Sequence, residues 1–362
     1  MPRPAQAALV PDGRPVEIAC DESGAEGEKL VGGNTDVFAH AGVSLDAAAA
    51  ADCVRELRLR APSPVTEYKA EHVLREKNRA TLVWLLGPSG PILGHARVHL
   101  TDKAYFAVSK VTDLLTGHHS VLGGLDQDER SAAMAVTLYQ EGRRAFGPAR
   151  WTAFLDAFNH LLRARNGRGP EISADSVFEL VADLRTTPGP AGEIMDELWA
   201  ARPLVDAFTA RLLDDPHLFP ALDPLIPGIA HAVAHWGAGG RPVSVVHDRQ
   251  TTLTEERIER LRLLLARPDA PGGPLVLTSL TLVASHLDPR VQVADIVAGV
   301  ARKIASKELN GRGDPELTGL LRPYVDVSSV WPDERSRAAL IPAQPSQARA
   351  SAAASGPSTG WE

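Results

Sequence analysis

The stretch Glu17-Ile18-Ala19-Cys20-Asp21-Glu22-Ser23-Gly24 constrains this chain more than any other. Val16, Ile18 and Cys20 alternate with Glu17, Ala19 and Asp21, the two-residue period of a pleated strand. The strand ends on a carboxylate and stops in a polar turn closed by glycine. A carboxylate at the mouth of an apolar strand is costly unless something compensates it. The fold must therefore bring a partner to Asp21 from elsewhere in the chain.

There is enough chain to do so. Its 362 residues suit one large domain with an insertion, or two domains. Hydrophobic residues make up 44% and aromatics only 5%, so Leu, Val and Ala carry most of the core. The net charge of −7 excludes nucleic-acid binding through overall charge and leaves only a local basic surface for it. Cys20 and Cys53 sit in a strand pattern and a helix pattern, and read as reduced, buried thiols of a cytoplasmic protein. Residues 1–14 lack the apolar core of a signal peptide, and no apolar run reaches the roughly 18 residues of a membrane span.

The patterns divide the chain into a lead-in (1–14), a first α/β part (15–112), an α-helical insertion (113–236), a second α/β part (237–330) and a tail (331–362), disordered from about 344. A second strand over Val37–Leu45 pairs with the first as a wide antiparallel hairpin, and Asp46 caps a helix to Leu59. A helix is expected over 71–86 and a third strand region over 97–111. The insertion reads as helices at about 127–145, 148–165, 174–185, 191–214 and 221–236. Strands return at Val243–Asp248 and Leu275–Leu280. Between them lies a helix capped by Thr254. Asp288-Pro289 opens a last helix that stops at Asn310-Gly311.

Asp248 repeats the design of Asp21: it ends an apolar strand and leads into a loop. If the two strands are parallel neighbours, both carboxylates emerge at one edge of the sheet, where open α/β sheets place their sites. Asp295 lies in the second turn of the nearly wholly apolar helix that begins at Pro289. A helix apolar on most sides is buried, and its carboxylate needs a cation or a donor. Three such Asp suit a hard divalent cation, Mg²⁺ or Mn²⁺, which takes oxygen ligands. Glu67-x-Lys69 and Asp102-Lys103 add lysines that suit a phosphate or balance carboxylates, or form surface ion pairs.

Other residues point less far. His231-x-x-x-His235 has ligand spacing on one helix face but no third ligand, and reads as solvated or partly buried helix histidines. His118-His119 reads as exposed turn. Arg143, Arg144 and Arg150 stand near Trp151, Phe154 and Phe158, where they form either a nucleic-acid-backbone contact or a solvated basic face beside core aromatics.

Taken in order, Asp21-Glu22-Ser23-Gly24, Glu67-Tyr68-Lys69, Asp102-Lys103, His247-Asp248 and Gln292-Val293-Ala294-Asp295 with Gly299 resemble the bacterial domain-of-unknown-function family 3800. The resemblance covers about 15–310 and carries no motif in the helical insertion. It implies a ribonuclease-H-like α/β fold: a mixed sheet flanked by helices, with acidic residues on strands and a helix gathering divalent metals. On that basis Asp21, Asp248 and Asp295 hold one or two Mg²⁺ or Mn²⁺ ions, with Glu22 or Glu67 as a fourth carboxylate. Lys69 or Lys103 offsets charge on a scissile phosphate.

The resulting expectation is a cytoplasmic, metal-dependent nuclease or phosphodiesterase acting on nucleic acid, its oligomeric state open. A hydrolase of a small phosphorylated molecule uses the same residues. A non-catalytic nucleic-acid or protein-binding module, its acids and lysines forming only a buried network, is the alternative from another class.

Overall fold

In the computed structural model, which describes residues 14–63, 68–117, 119–126, 128–163, 173–215, 217–268, 270 and 273–342, the opening strand β1 (Val16–Ser23) is the central strand of a five-stranded sheet. The other strands are β2 (Val37–Val43), β3 (Ala96–Asp102), β4 (Val243–Asp248) and β5 (Leu277–Val283), in the order β3-β2-β1-β4-β5. β2 runs antiparallel to both β1 and β3, while β1–β4 and β4–β5 are parallel. Cys20 stands opposite His247. Asp21 and Asp248, each one residue further on, therefore leave the sheet at the same edge.

Helices cover both faces, so the chain is an α/β protein with a mixed sheet. α1 (Ala47–Arg60) follows β2, and α2 (Ala70–Val73) and α3 (Arg79–Leu86) precede β3. Then come α4 (Lys103–Thr116), α5 (Glu129–Phe146), α6 (Pro148–Leu162), α7 (Ala174–Leu184), α8 (Pro190–Ala200), α9 (Arg202–Asp214) and α10 (Leu225–Trp236). α11 (Glu255–Leu265) joins β4 to β5; α12 (Pro289–Leu309), α13 (Pro315–Leu321) and α14 (Glu334–Leu340) complete the chain. None of the described helices is long and apolar enough to cross a membrane.

The two-residue period of the strands decides which helix meets which side. Val37, Ala39, Ala41 and Val43 of β2 point to one face and pack with α1, α3 and α12. Ile18, Cys20, Phe38, Val243 and Val245 point to the other and pack with α10 and α11. All seven residues of β2 are buried, as expected of a strand covered on both sides. α4 to α9 form a separate apolar core around Phe106, Phe154, Phe158 and Phe178. Trp151 belongs to it as well.

Several local expectations change. The third strand stops at Asp102, whose carboxylate caps α4 by accepting from the Ala104 and Tyr105 amides. Lys103 therefore opens a helix and does not lie on a strand. The helix expected at 71–86 is broken into α2, a 3₁₀ turn at Glu76–Asn78 and α3. The one expected at 191–214 breaks at Ala201, because Pro203 in the first turn of α9 has no amide hydrogen to continue α8. The fifth strand is displaced to 277–283. The caps at Asp46, Thr254 and Asp288 are as expected. Past α12, Val325 and Val330 bridge to Val98 and Thr101, covering the open edge of β3. Cys20 and Cys53 are both buried, free thiols. The expected disordered tail lies outside the described residues, as does most of the lead-in.

Candidate carboxylate site

The site is built where β1 ends. The Glu22 amide donates to Asp21 Oδ1 at 2.8 Å, and Arg302 Nε donates to Ser23 Oγ at 2.9 Å. Gly24 has φ +90°, and a Cβ there would stand 2.4 Å from the Val37 carbonyl oxygen and 2.7 Å from Arg302 Cδ. Only glycine lets the chain turn past the start of β2. The turn thereby fixes Asp21 on the α12 side of the sheet and Glu22 on the α10 side.

Asp248 also faces α12, and its Oδ1 accepts the Ser285 amide at 2.9 Å. Asp295 enters from α12 itself, with Lys69 Nζ 3.0 Å from its Oδ2. One turn further along α12, a Cβ on Gly299 would lie 2.4 Å from Ala70 Cβ. The missing side chain lets α2 lie against α12, which brings Lys69, the residue before α2, beside Asp295.

These carboxylates lie near enough to act on one another's charge. Asp21 is 4% exposed. Burial pushes its carboxyl well above the usual range, and the charges of Glu22, Asp295 and Asp248 push further in that order. Glu22 is raised by burial, then by Asp223, Asp248 and Asp295. Its Oε1 accepts from Gln250 Nε2, whereas its buried Oε2 has no hydrogen-bond partner. The nearest basic nitrogen, His247 Nε2, is 3.8 Å away, but burial holds His247 down at about 4, so it is neutral at pH 7 and offers no ion pair.

Asp21, Asp248, Asp295, Glu22 and Lys69 thus gather at one edge. Lys103 does not join them. It is buried further along the same rim, where Nζ bonds Thr35 Oγ1 at 2.5 Å and Glu26 Oε1 at 3.2 Å. Its proposed phosphate role is corrected to a structural one: its ammonium already has two partners. Glu67 lies outside the described residues. Arg143 and Arg144 are exposed in the last turn of α5, and Arg150 donates to the Phe146 carbonyl and pairs with Asp183. The aromatics beside them belong to the helical core, so among the described residues these arginines line no aromatic surface for a nucleic acid.

Sequence reading missed Asp223, Gln250 and a row of histidines. Asp223 precedes α10, accepts from the Leu225 amide and from Thr252, and is pushed up by burial. The Asp223-Pro224 pair ahead of an apolar helix was its only local signal. His40 Nε2 lies 3.2 Å from His247 Nε2, and His99 stacks on His231 with centroids 4.2 Å apart. His231 is 3% exposed, so it is a core residue and not a solvated one. His119 is half-buried against Phe208, not an exposed turn residue; His118 lies outside the described residues.

The donor chemistry fits a hard divalent cation: every candidate ligand is an oxygen, the carboxylates repel one another, and Glu22 Oε2 is buried without a partner. The geometry is not preassembled. Among the described residues, no three His, Cys, Asp or Glu side chains are set to hold a metal ion between them. Lys69 and the Ser285 amide hold Asp295 and Asp248 instead. No protein-family description, curated protein or solved structure matches the chain.

Proposed function

We propose that this chain is a divalent-metal-dependent phosphodiesterase acting on nucleic acid, with a ribonuclease-H-like arrangement of its sheet and acids. The observation that carries the reading is the convergence of strand-borne Asp21 and Asp248 with helix-borne Asp295, close enough for the latter two to raise Asp21. Buried like charges persist only when something offsets them. The resemblance of the motifs around these residues to family 3800 supports the same assignment.

Asp21, Asp248 and Asp295, with Glu22 adjacent, would hold Mg²⁺ or Mn²⁺, which supplies Lewis-acid polarisation of a phosphoryl oxygen and an activated water. The chain's own groups do the rest. The Gly24 turn and the Ser285 amide orient the acids. Lys69 pairs with Asp295 and is 40% exposed, and would turn to a phosphate when the carboxylates are otherwise neutralised. Gln250 fixes Glu22.

The Lys69–Asp295 ion pair favours one competing reading, a non-catalytic binding module whose acids and lysine form only a buried network. Cleavage of single- and double-stranded DNA and RNA with Mg²⁺ or Mn²⁺, and without metal in EDTA, separates the two. The nuclease reading expects metal-dependent cleavage, reduced at least about 100-fold in Asp21→Ala and Asp295→Asn. Equal activity in both variants, or no metal binding by calorimetry, rejects the assigned site.

A further inference from the structure

A chain of net charge −7 can meet a nucleic acid only at a local basic surface. One lies beside the second half of α12, in a groove between that helix and the link from α2 to α3. Its volume is about 50 Å³. Small-molecule sites begin at about 300 Å³, so the groove suits one part of a larger partner. Its charged lining is Arg75, Arg79, Lys303 and Lys307 against two acids, Glu76 and Asp314.

The four cations are not equivalent. Arg79 is satisfied, bonding Asp314 at 3.0 Å and Glu316 at 2.6 Å. Setting the Arg79–Asp314 pair aside leaves three cations and one acid, Glu76. Arg75, Lys303 and Lys307 are exposed, and none has a hydrogen-bond or ion-pair partner among the described residues. Lys303 and Lys307 stand one turn apart on α12, a like-charge spacing that destabilises a helix. The helix dipole favours Lys307, which lies in the last turn, but not Lys303 a turn earlier.

The groove also leads away from the carboxylate rim. Lys69, just before α2, reaches Asp295, and Ala70 lies against Gly299. Val73 and Leu74 then share the groove with Ile304. α2 therefore runs alongside α12, with Lys69 at the rim end and Arg75 at the far end. Lys303 and Lys307 follow Asp295 at roughly 12 and 18 Å, at 1.5 Å per residue.

We propose that this groove holds the phosphate backbone of the nucleic-acid strand, a few nucleotides from the bond at the carboxylate rim. The inference rests on the phosphodiesterase reading for the identity of the partner. A strand offers a phosphate at every nucleotide and so answers cations at several distances from the reacting bond. Such contacts position a strand without reading its sequence.

The test reads binding apart from chemistry. Labelled single-stranded DNA and RNA, long enough to reach from Asp295 past Lys307, are titrated into the full chain in EDTA at stepped salt. Lys303→Ala with Lys307→Ala should weaken binding about tenfold or more at low salt. The slope of log K against log salt should flatten by about 1.4, about 0.7 for each lost phosphate contact. Arg75→Ala should act in the same direction. Arg143→Ala with Arg144→Ala removes the same charge from the exposed end of α5 and should change neither quantity. Lys303→Gln with Lys307→Gln, which keeps most of each stem, stands in if the alanine pair loses its cooperative unfolding transition. Equal weakening by the two double variants, an unchanged slope, or polyglutamate bound as tightly as the oligonucleotides overturns the proposal. Cleavage of bis(4-nitrophenyl) phosphate with Mg²⁺ or Mn²⁺ reads the phosphodiesterase chemistry without a strand. Its cleavage without oligonucleotide binding overturns the groove and leaves that chemistry standing. Groove-dependent binding without cleavage of this ester or of any oligonucleotide supports the groove and rejects only the chemistry.

Discussion

Two clusters of buried charge stand on one rim of the sheet, and they are built on opposite plans. At the end of β3, Lys103 is 2% exposed and bonds Glu26 and Thr35. Glu26 in turn accepts the Asn34 and Thr35 amides at 2.9 Å and the Thr35 hydroxyl at 2.6 Å. Burial opposes its charge, but these bonds and Lys103 hold it down at about 2. At the ends of β1 and β4, by contrast, Asp21 and Glu22 are raised by burial and by each other's neighbours. The first cluster satisfies its charges. The second sets more acids together than it has bases to pair with them and leaves an orphaned oxygen on Glu22. Burial of a charged group is common to both, so burial alone marks nothing; the imbalance is what distinguishes a candidate site from a structural ion pair.

The comparison is broken most severely by removing the balanced cluster's cation. Lys103→Met leaves Glu26 facing a largely buried space without its ammonium. It should cost about 3 kcal/mol in denaturant unfolding, since breaking one partner of a buried pair is the expensive change. Metal-dependent cleavage should persist in the folded fraction. A loss of cleavage at unchanged stability would return Lys103 to the active machinery.

A smaller effect reads the same cluster by pH. The Glu26 carboxyl has an ordinary value of 4.5 and stands at about 2 in the fold. A depressed acid contributes stability that is fully present above its unfolded value and is lost as pH falls through the folded one. Glu26 should therefore supply on the order of 2 kcal/mol that disappears between about pH 4.5 and pH 2. Glu26→Gln should flatten this part of the acid limb in unfolding measured at stepped pH. An acid limb identical to that of the unaltered chain would show that the hydrogen bonds do not hold the carboxylate down.

Legibility in the sequence followed the same division. Asp21, Asp248 and Asp295 could be found because each breaks a clean apolar period, two-residue in the strands and helical in α12. The parallel pairing of β1 with β4 then had to place the first two at one edge. The pattern could not tell Asp102-Lys103 apart from an alternating strand, since a polar pair ending a strand and a cap opening a helix read alike; the Tyr139 hydroxyl on Asp102, 2.5 Å away, comes from a helix 37 residues on. Asp223 lies in a turn without periodicity, and only the fold brings it to Glu22. The buried histidines were invisible for the opposite reason. His40 and His99 occupy face-to-face register positions on β2 and β3, a juxtaposition that exists only once the sheet is assembled.

The variant with the smallest cost in stability is the sharpest test of the unbalanced cluster. A carboxyl raised as Asp21 is loses native stability as pH rises through its folded value, since the folded state then binds the proton more tightly than the unfolded one. In metal-free protein near neutral pH, folded Asp21 keeps a proton that the unfolded chain has already released, so Asp21→Asn, which has no proton to take up on folding, should carry no cost in denaturant unfolding, and its advantage should grow as the pH rises above the ordinary value of 3.8. The same variant should lose the stabilisation that Mg²⁺ or Mn²⁺ gives the unaltered chain, about 2.7 kcal/mol when the metal is at a hundred times its dissociation constant. A variant as strongly stabilised by metal as the parent places the cation elsewhere. A large loss of stability at neutral pH in EDTA would instead show that Asp21 is ionised and already compensated, and the two ends of the rim would then be built alike.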